Sequence, residues 1–219
     1  MQWEILINRN ISWNDLEAKQ RELMTEVHEN KHMAYLMVSE PSPTFTFGRN
    51  SNPKDLLWSE LLLSENRVQI APVSRGGQWT YHGPGQLLVY PILHLPSWGY
   101  STKSVRAFLE DFREGTHQAL STLGCDDLIS KEPFGIYREN KKLVSFGLAF
   151  ERSISSHGLA LYYQDQSHFF SGITPCGVFQ GVTTHLLDTL STTPSWDDVA
   201  KSMTLHIKNH FSLRLSQVL

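Results

Sequence analysis

The sequence predicts an α/β or α+β fold in which a mixed sheet carries a few long helices. Strand-like runs come in groups, single long amphipathic stretches separate the groups, and no regular βαβ repeat appears. The 219 residues suffice for one large domain with a substantial core. No linker, low-complexity stretch or repeat divides them, so residues 1–219 are expected to form a single domain.

Each element has a local reason. Ser12 and Asp15 have the spacing of a capping box, and Leu16, Leu23, Met24 and Val27 recur at helical spacing, which predicts a first helix over Asn14–His28. Met33–Val38 reads as a strand, Glu40–Pro43 as a turn, and Thr44–Phe47 as a run leading into Gly48-Arg49-Asn50. Two apolar strand-like runs, Val68–Val73 and Leu87–Leu95, bracket a glycine-rich segment. A second amphipathic helix is predicted over Lys103–Leu123, with Val105, Phe108, Leu109, Phe112 and Leu120 on one face and Gly124 as the stop. Three further strand-like runs follow, Gly135–Arg138, Leu143–Phe150 and His157–Tyr163. A last helix begins after Ser195, with Val199, Met203 and Ile207 turned inward.

Composition narrows the classes of function. A net charge of −3 supplies no basic field for nucleic acid or an anionic membrane. No apolar run approaches the roughly 20 residues needed to span a bilayer. The first ten residues, MQWEILINRN, carry Glu4 inside the apolar stretch and lack the layout of a signal peptide. Two cysteines, Cys125 and Cys176, do not make a disulfide framework. The expectation is a cytoplasmic globular protein without nucleic-acid or membrane partners. No His or Cys pair has metal-ligand spacing, and neither a P-loop nor a GxGxxG segment is present, so no metal and no cofactor are expected.

The most informative stretch is RGGQWTYHGPGQ, residues 75–86. Its glycines remove Cβ atoms that would keep a ligand from the main chain, and they permit turns at φ > 0. A flexible linker would lack the interleaved Arg, Trp, Tyr and His. Held between two strands, the segment reads as a binding loop that places Arg75, Tyr81 and His82 around something small. Cys176 stands between Pro175 and Gly177, a setting that suits a presented nucleophile better than a buried filler. Cys125 precedes Asp126-Asp127, whose charges disfavour a thiolate, so it reads as structural. An ordinary thiol is only a few per cent ionised at neutral pH and needs a helper. The candidates are His82 or His157, and Lys141 or Lys142. Burial at the start of the 143–147 strand would lower the pKa of Lys142, while spacing alone favours a solvated turn lysine beside Lys141 and Glu139. His28, His32, His117, His206 and His210 lie on or near helices and read as surface residues.

Taken together, RGGQWTYHGPGQ at 75–86, Lys142-Leu143-Val144-Ser145-Phe146-Gly147, His157-Gly158-Leu159-Ala160-Leu161 and Ile173-Thr174-Pro175-Cys176-Gly177 resemble the lipoyl(octanoyl) transferases. Thr44–Arg49 adds a weaker match, and the segments occur in the family's order over roughly residues 34–185. The resemblance implies a mixed, largely antiparallel sheet flanked by helices, like the catalytic domain of biotin and lipoate protein ligases. It further implies that Cys176 takes an octanoyl group from octanoyl-acyl carrier protein as a thioester, with Lys142 as the proton acceptor. The acyl group would then pass to a lysine of a lipoyl domain, in 2-oxoacid dehydrogenases or the glycine cleavage H protein. Arg75, Gly76, Gly77, Gln78, Trp79, Thr80, Tyr81 and His82 would line the acyl site, with Ser145, Phe146, Gly147, Gly158, Leu159 and Ala160. No ATP, metal or cofactor is implied, and a monomer is expected. The chain departs from the usual pattern at Ala149-Phe150, where Arg is common, and at Tyr162, where Asn is common. It departs also at Val178, where an aromatic is usual, and at Trp79, where Val is frequent. An ATP-dependent lipoate or biotin ligase on the same fold is the alternative.

Overall fold

A computed structural model describes residues 1–74, 77–103, 105–131, 134–174 and 183–218. Ten strands, β1 (Gln2–Ile11), β2 (Met33–Pro41), β3 (Thr44–Phe47), β4 (Gln69–Pro72), β5 (Thr80–His82), β6 (Gln86–Leu93), β7 (Leu128–Lys131), β8 (Gly135–Arg138), β9 (Lys141–Glu151) and β10 (Ile154–Tyr162), lie among them. The helices are α1 (Trp13–Glu29), α2 (Glu60–Glu65), α3 (Arg106–Thr122), α4 (Ser167–Phe170), α5 (Leu186–Thr189) and α6 (Trp196–Val218). Seven strands form the main sheet in the order β1-β2-β6-β10-β9-β8-β7, and β4-β3-β5 form a small second sheet. Only β1–β2 and β3–β4 pair in parallel; the remaining pairs are antiparallel, which makes the fold a mixed, mostly antiparallel sheet flanked by helices.

The pleat sends successive side chains to opposite faces, and each face has its own core. On one face Leu36, Val38, Leu87, Val89, Val144, Leu159 and Leu161 meet Phe108 and Phe112 of α3 and Met203, Ile207 and Phe211 of α6. On the other, Tyr35, Met37, Leu88, Tyr90 and Ala160 meet Trp13, Leu16, Leu23 and Val27 of α1. An aromatic cluster under the small sheet gathers Phe45, Trp79, Tyr81, Tyr162, Phe170 and Ile173. Ser12 caps α1 as its spacing predicts: Oγ accepts from the Asp15 backbone N–H at 3.1 Å and donates to the Asp15 carboxylate. Two tight hairpins join β8 to β9 and β9 to β10, with both central residues of each turn at positive φ: Glu139 and Asn140 at 48° and 66°, Arg152 and Ser153 at 50° and 65°. Such turns match the right-handed strand twist.

The structure departs from the sequence expectations in four places. Residues 2–11 form an edge strand whose half-exposed pattern gives no clean alternation. Glu40 and Pro41 continue β2 instead of turning, because Arg9 of the parallel neighbour holds the Glu40 carboxylate at 2.9 and 3.1 Å. The glycine-rich segment is not all loop; Thr80–His82 form β5, paired with Thr44–Thr46. Short elements β7, α2, α4 and α5 carry too few residues for periodicity to register. No helix among the described residues is long and apolar enough to cross a membrane.

Candidate functional site

One end of the main sheet collects the chemistry-bearing residues, and the strand register brings them there. Arg9 pairs with Glu40, Ser39 with Leu88, Gln86 with Tyr162, and Leu161 with Val144, so Glu40, Gln86, Tyr162 and Lys142 all sit near the same edge. Lys142 is half-buried whereas Lys141 is exposed, so alternation separates the two neighbouring lysines. The Lys142 Nζ lies 5.2 Å from the centre of the Tyr137 ring. On its other side the Lys142 backbone bridges to Thr183, and its carbonyl accepts from the Thr184 N–H at 3.0 Å. Ile173 bridges to Leu56, and the Thr174 N–H donates to the Asp55 carbonyl at 2.8 Å. Thr174 and Thr183 therefore mark two anchors on either side of Pro175–Val182 in the chain. Cys176 itself, like Arg75 and Gly76, lies outside the described residues.

The two glycine motifs of the hairpin face each other in register: Ser145 opposite Ala160, Phe146 opposite Leu159, Gly147 opposite Gly158. The pleat splits them. Ser145 and Ala160 belong to the α1 face, while Phe146 and Leu159 turn to the α3–α6 face, where Phe146 meets Phe112 edge-on at 5.3 Å. The four side chains that these six residues carry thus serve two compartments. Ser145 Oγ and the Tyr162 hydroxyl lie 2.8 Å apart, so the Tyr that stands where the resemblance leads one to expect Asn is tied into the motif. Gly158 does permit a close backbone approach, but the backbone that approaches is β6: a Cβ built there would lie 2.0 Å from the Val89 carbonyl oxygen.

The described part of the glycine segment is more embedded than a ligand-wrapping loop. Gly77 is exposed at φ +94°. Gln78 is half-buried, and so is Thr80 opposite Thr46. Trp79 is buried, donates from Nε1 to the Asn52 carbonyl at 2.8 Å, and packs on Phe47. Tyr81 is fully buried and stacks on Phe169 at 4.3 Å. Burial, and secondarily the negative charge of Glu40, push its phenol well above the ordinary tyrosine range. His82 is also buried, stacked on Trp13 at 5.1 Å with an interplanar angle of 9°.

A polar network that the sequence reading did not single out holds the end of this segment. Glu40 accepts from Arg9 and, through Oε1, from the Gly85 backbone N–H at 3.1 Å. Gln86, fully buried, binds the Tyr81 carbonyl, Gln166 and His82. Arg9 stacks over Trp196 at 4.8 Å, and Trp196 donates to the Gln86 carbonyl at 3.1 Å. A carboxylate at the end of the apolar run Leu36-Met37-Val38-Ser39-Glu40 was the available signal, since a buried charge requires a partner. Gln20 of α1 likewise accepts from the His157 N–H at 2.7 Å and supports that residue at φ +55°. Cys125 is buried against Thr189, and burial raises its thiol above the ordinary value. Among the described residues no group of three or more His, Cys, Asp or Glu could hold a metal ion.

A mixed, mostly antiparallel sheet with helices on both faces and a small second sheet beside it is the fold of the lipoate and biotin protein ligases. The chain aligns with a T. acidophilum protein solved as a putative lipoate protein ligase with bound lipoic acid, at TM-score 0.77 and 14% identity over 96% of this chain and 86% of that one. It also aligns with lipoate-protein ligase A bound with ATP (TM-score 0.75, 13% identity, 96% and 85% covered). The Aquifex aeolicus biotin protein ligase is more distant (TM-score 0.52, 12% identity, 100% and 75% covered). At these identities the likeness concerns the fold. Residues 16–208 match the lipoyl protein ligase A/B catalytic domain, and the chain belongs to that family. Similar proteins include octanoyltransferases from Solibacter usitatus, 30% identical over 181 residues (83% of this chain, 80% of that one), and from Neisseria meningitidis serogroup C, 31% over 193 residues (81% and 92%). The octanoyltransferase of Acidobacterium capsulatum is 34% identical over 177 residues (76% and 72%).

Proposed function

We propose that this chain is an octanoyltransferase acting in protein lipoylation, with residues 1–219 as a single catalytic domain in the cytoplasm. Several relatives at 30–34% identity over most of the chain carry that activity in their names. The observation that supports the residue roles best is the half-buried Lys142 whose backbone is tied to Thr183 and Thr184, seven and eight residues beyond Cys176.

In this reading octanoyl-acyl carrier protein is the donor. Lys142 takes the Cys176 proton, the thiolate attacks the thioester carbonyl, the new C–S bond forms, and the carrier thiol leaves with a proton. The ε-amine of a lipoyl-domain lysine then attacks the octanoyl-enzyme; a C–N bond forms, the C–S bond breaks, and the proton lost by the amine returns to Cys176 or Lys142. The acyl group arrives activated, so no nucleotide enters the balance. Arg75, Gly76, Gly77, Gln78 and Thr80 would flank the acyl group, with Ser145, Gly147 and Ala160 on the same sheet edge. Trp79, Tyr81, His82, Phe146, Gly158 and Leu159, being packed among other residues, would shape the site from behind.

Intact-protein mass spectrometry tests the whole reading. Incubation with octanoyl-acyl carrier protein should add one octanoyl group to the enzyme, and a lipoyl domain should remove it, both without ATP. Acylation of the lipoyl domain from free octanoate only when ATP is present would establish the ligase alternative instead.

A further inference from the structure

Strand β10 breaks its own alternation at His157, and the break turns the ring toward the foot of the glycine segment. Along β10 the pleat sends Leu159 to the α3–α6 core and Ala160 to the α1 core, so strict alternation would put His157 with Leu159. Its backbone is left-handed instead, at φ +55° within the strand. The ring meets Tyr90, a member of the α1 core, edge-on at 5.7 Å. The His157 N–H likewise turns to α1 and donates to Gln20 Oε1 at 2.7 Å in a buried bond. Pairing of β10 with β6 begins only at Leu159, opposite Val89. A left-handed residue other than glycine inside a strand is strained, and such strain persists only where surrounding contacts impose it.

What the turned ring reaches is Ser74, whose hydroxyl lies 3.4 Å from His157 Nε2. His157 is buried and Ser74 exposed, so an interior ring holds a surface hydroxyl. Ser74 stands immediately before Arg75-Gly76-Gly77 in the chain. Its neighbour Val73 donates to the Phe47 carbonyl at 3.0 Å. Beyond the glycines, Trp79 donates to the Asn52 carbonyl and packs on the same Phe47. Arg75–Gln78 therefore lie in the chain between two anchored feet, and His157 supplies the side-chain contact at the first. Two glycines make this stretch costly to order, which gives an anchor at its foot something to do. The contact is long for a hydrogen bond, so its loss should loosen the segment without unfolding the protein.

We propose that His157 is a positioning residue that fixes the Ser74 foot of the glycine segment and so orders Arg75–Gln78 in advance of the acyl donor. The inference rests on the reading of that segment as the flank of the acyl group. A binding loop ordered beforehand gives up less freedom when its ligand arrives, so the anchor strengthens donor binding and leaves the chemical step alone.

Hydrogen exchange read by mass spectrometry on the whole protein tests the anchor without any substrate. Ser74→Ala alters an exposed residue and leaves the core untouched. His157→Asn keeps a residue type that tolerates left-handed backbone while withdrawing the ring from Ser74. Each should speed exchange of the peptide spanning residues 74–79 several-fold, and the two together should do no more than either alone. Single-turnover acylation tests the role. In either variant the octanoyl-acyl carrier protein concentration at half-saturation should rise roughly threefold to tenfold, the order expected for one hydrogen bond. The rate at saturation should stay within about twofold. Ser74→Thr, which keeps the hydroxyl, should restore the half-saturation of the unaltered enzyme. Unchanged exchange in Ser74→Ala, or effects that multiply in the double variant, would overturn the anchor. Faster exchange with an unchanged half-saturation would overturn its part in donor binding. An unaltered protein that takes no octanoyl group would instead defeat the transferase reading, and exchange would still decide the anchor.

Discussion

Gly158→Ala separates two explanations for the glycine of the His157-Gly158-Leu159 motif. If a ligand approaches the main chain there, a methyl group obstructs binding. If strand β6 occupies the space, the methyl group obstructs folding, and the geometry favours the second. The Cβ would lie 2.0 Å from the Val89 carbonyl oxygen and 3.0 Å from both Pro91 Cδ and Tyr90 Cα. Two of these three neighbours are backbone atoms, so no rotamer change relieves them. The strands would have to separate by about 1 Å at a close-packed interior position, loosening the ladder that starts at Leu159–Val89. Overpacking typically costs about 1–3 kcal/mol, and a backbone clash in a central strand belongs at the upper end, about 3 kcal/mol. For a chain of this size each kcal/mol moves the melting midpoint by about 2–4 °C, so a fall of roughly 6–12 °C is expected. Single-turnover acylation measured well below the lowered midpoint should stay within about twofold of the unaltered enzyme, since β6 already fills the site. An unchanged midpoint with lost acylation would refute the reasoning and return Gly158 to the acyl pocket.

Three further substitutions test the remaining assignments. Cys176→Ala should abolish the octanoyl-enzyme adduct in the mass spectrum while Cys125→Ala retains it, because Cys125 is buried with its thiol pushed up; the opposite pattern would reassign the nucleophile. Lys142→Ala should slow acyl-enzyme formation at neutral pH by about 10²–10⁴-fold and move the rate profile to higher pH, toward an unassisted thiol near ~8.5. The exposed Lys141→Ala should change little, and equal effects of the two would deny Lys142 its role. Gly77→Ala forces an L side chain to φ +94°, which costs about 1–2 kcal/mol. It should lower the melting midpoint only modestly while removing most transfer, and normal transfer would mean that no ligand touches this loop.

Local patterns were legible where a single element supplies its own evidence. The helix read over Asn14–His28 is Trp13–Glu29, the strand read over Gly135–Arg138 has those bounds, and the last helix begins after Ser195. Helical and strand periods repeat within a few residues, so one segment suffices to show them. The motifs at 75–86, 142–147, 157–161 and 173–177 were likewise visible as residue types in order. What those residues touch was not. Gly158 owes its missing side chain to Val89, Glu40 finds Gly85, Gln86 finds Gln166, and Gln20 finds His157. These pairs are 45 to 137 residues apart where the hydrogen bonds record them. Nor could the chain alone say that Phe146 and Leu159 leave the face shared by Ser145 and Ala160, since that follows from which side of the pleat α1 and α3 cover. Periodicity belongs to the segment, and the sequence carries it. Close approach and hydrogen-bond partnership belong to strand order and register, which exist only once the sheet has formed.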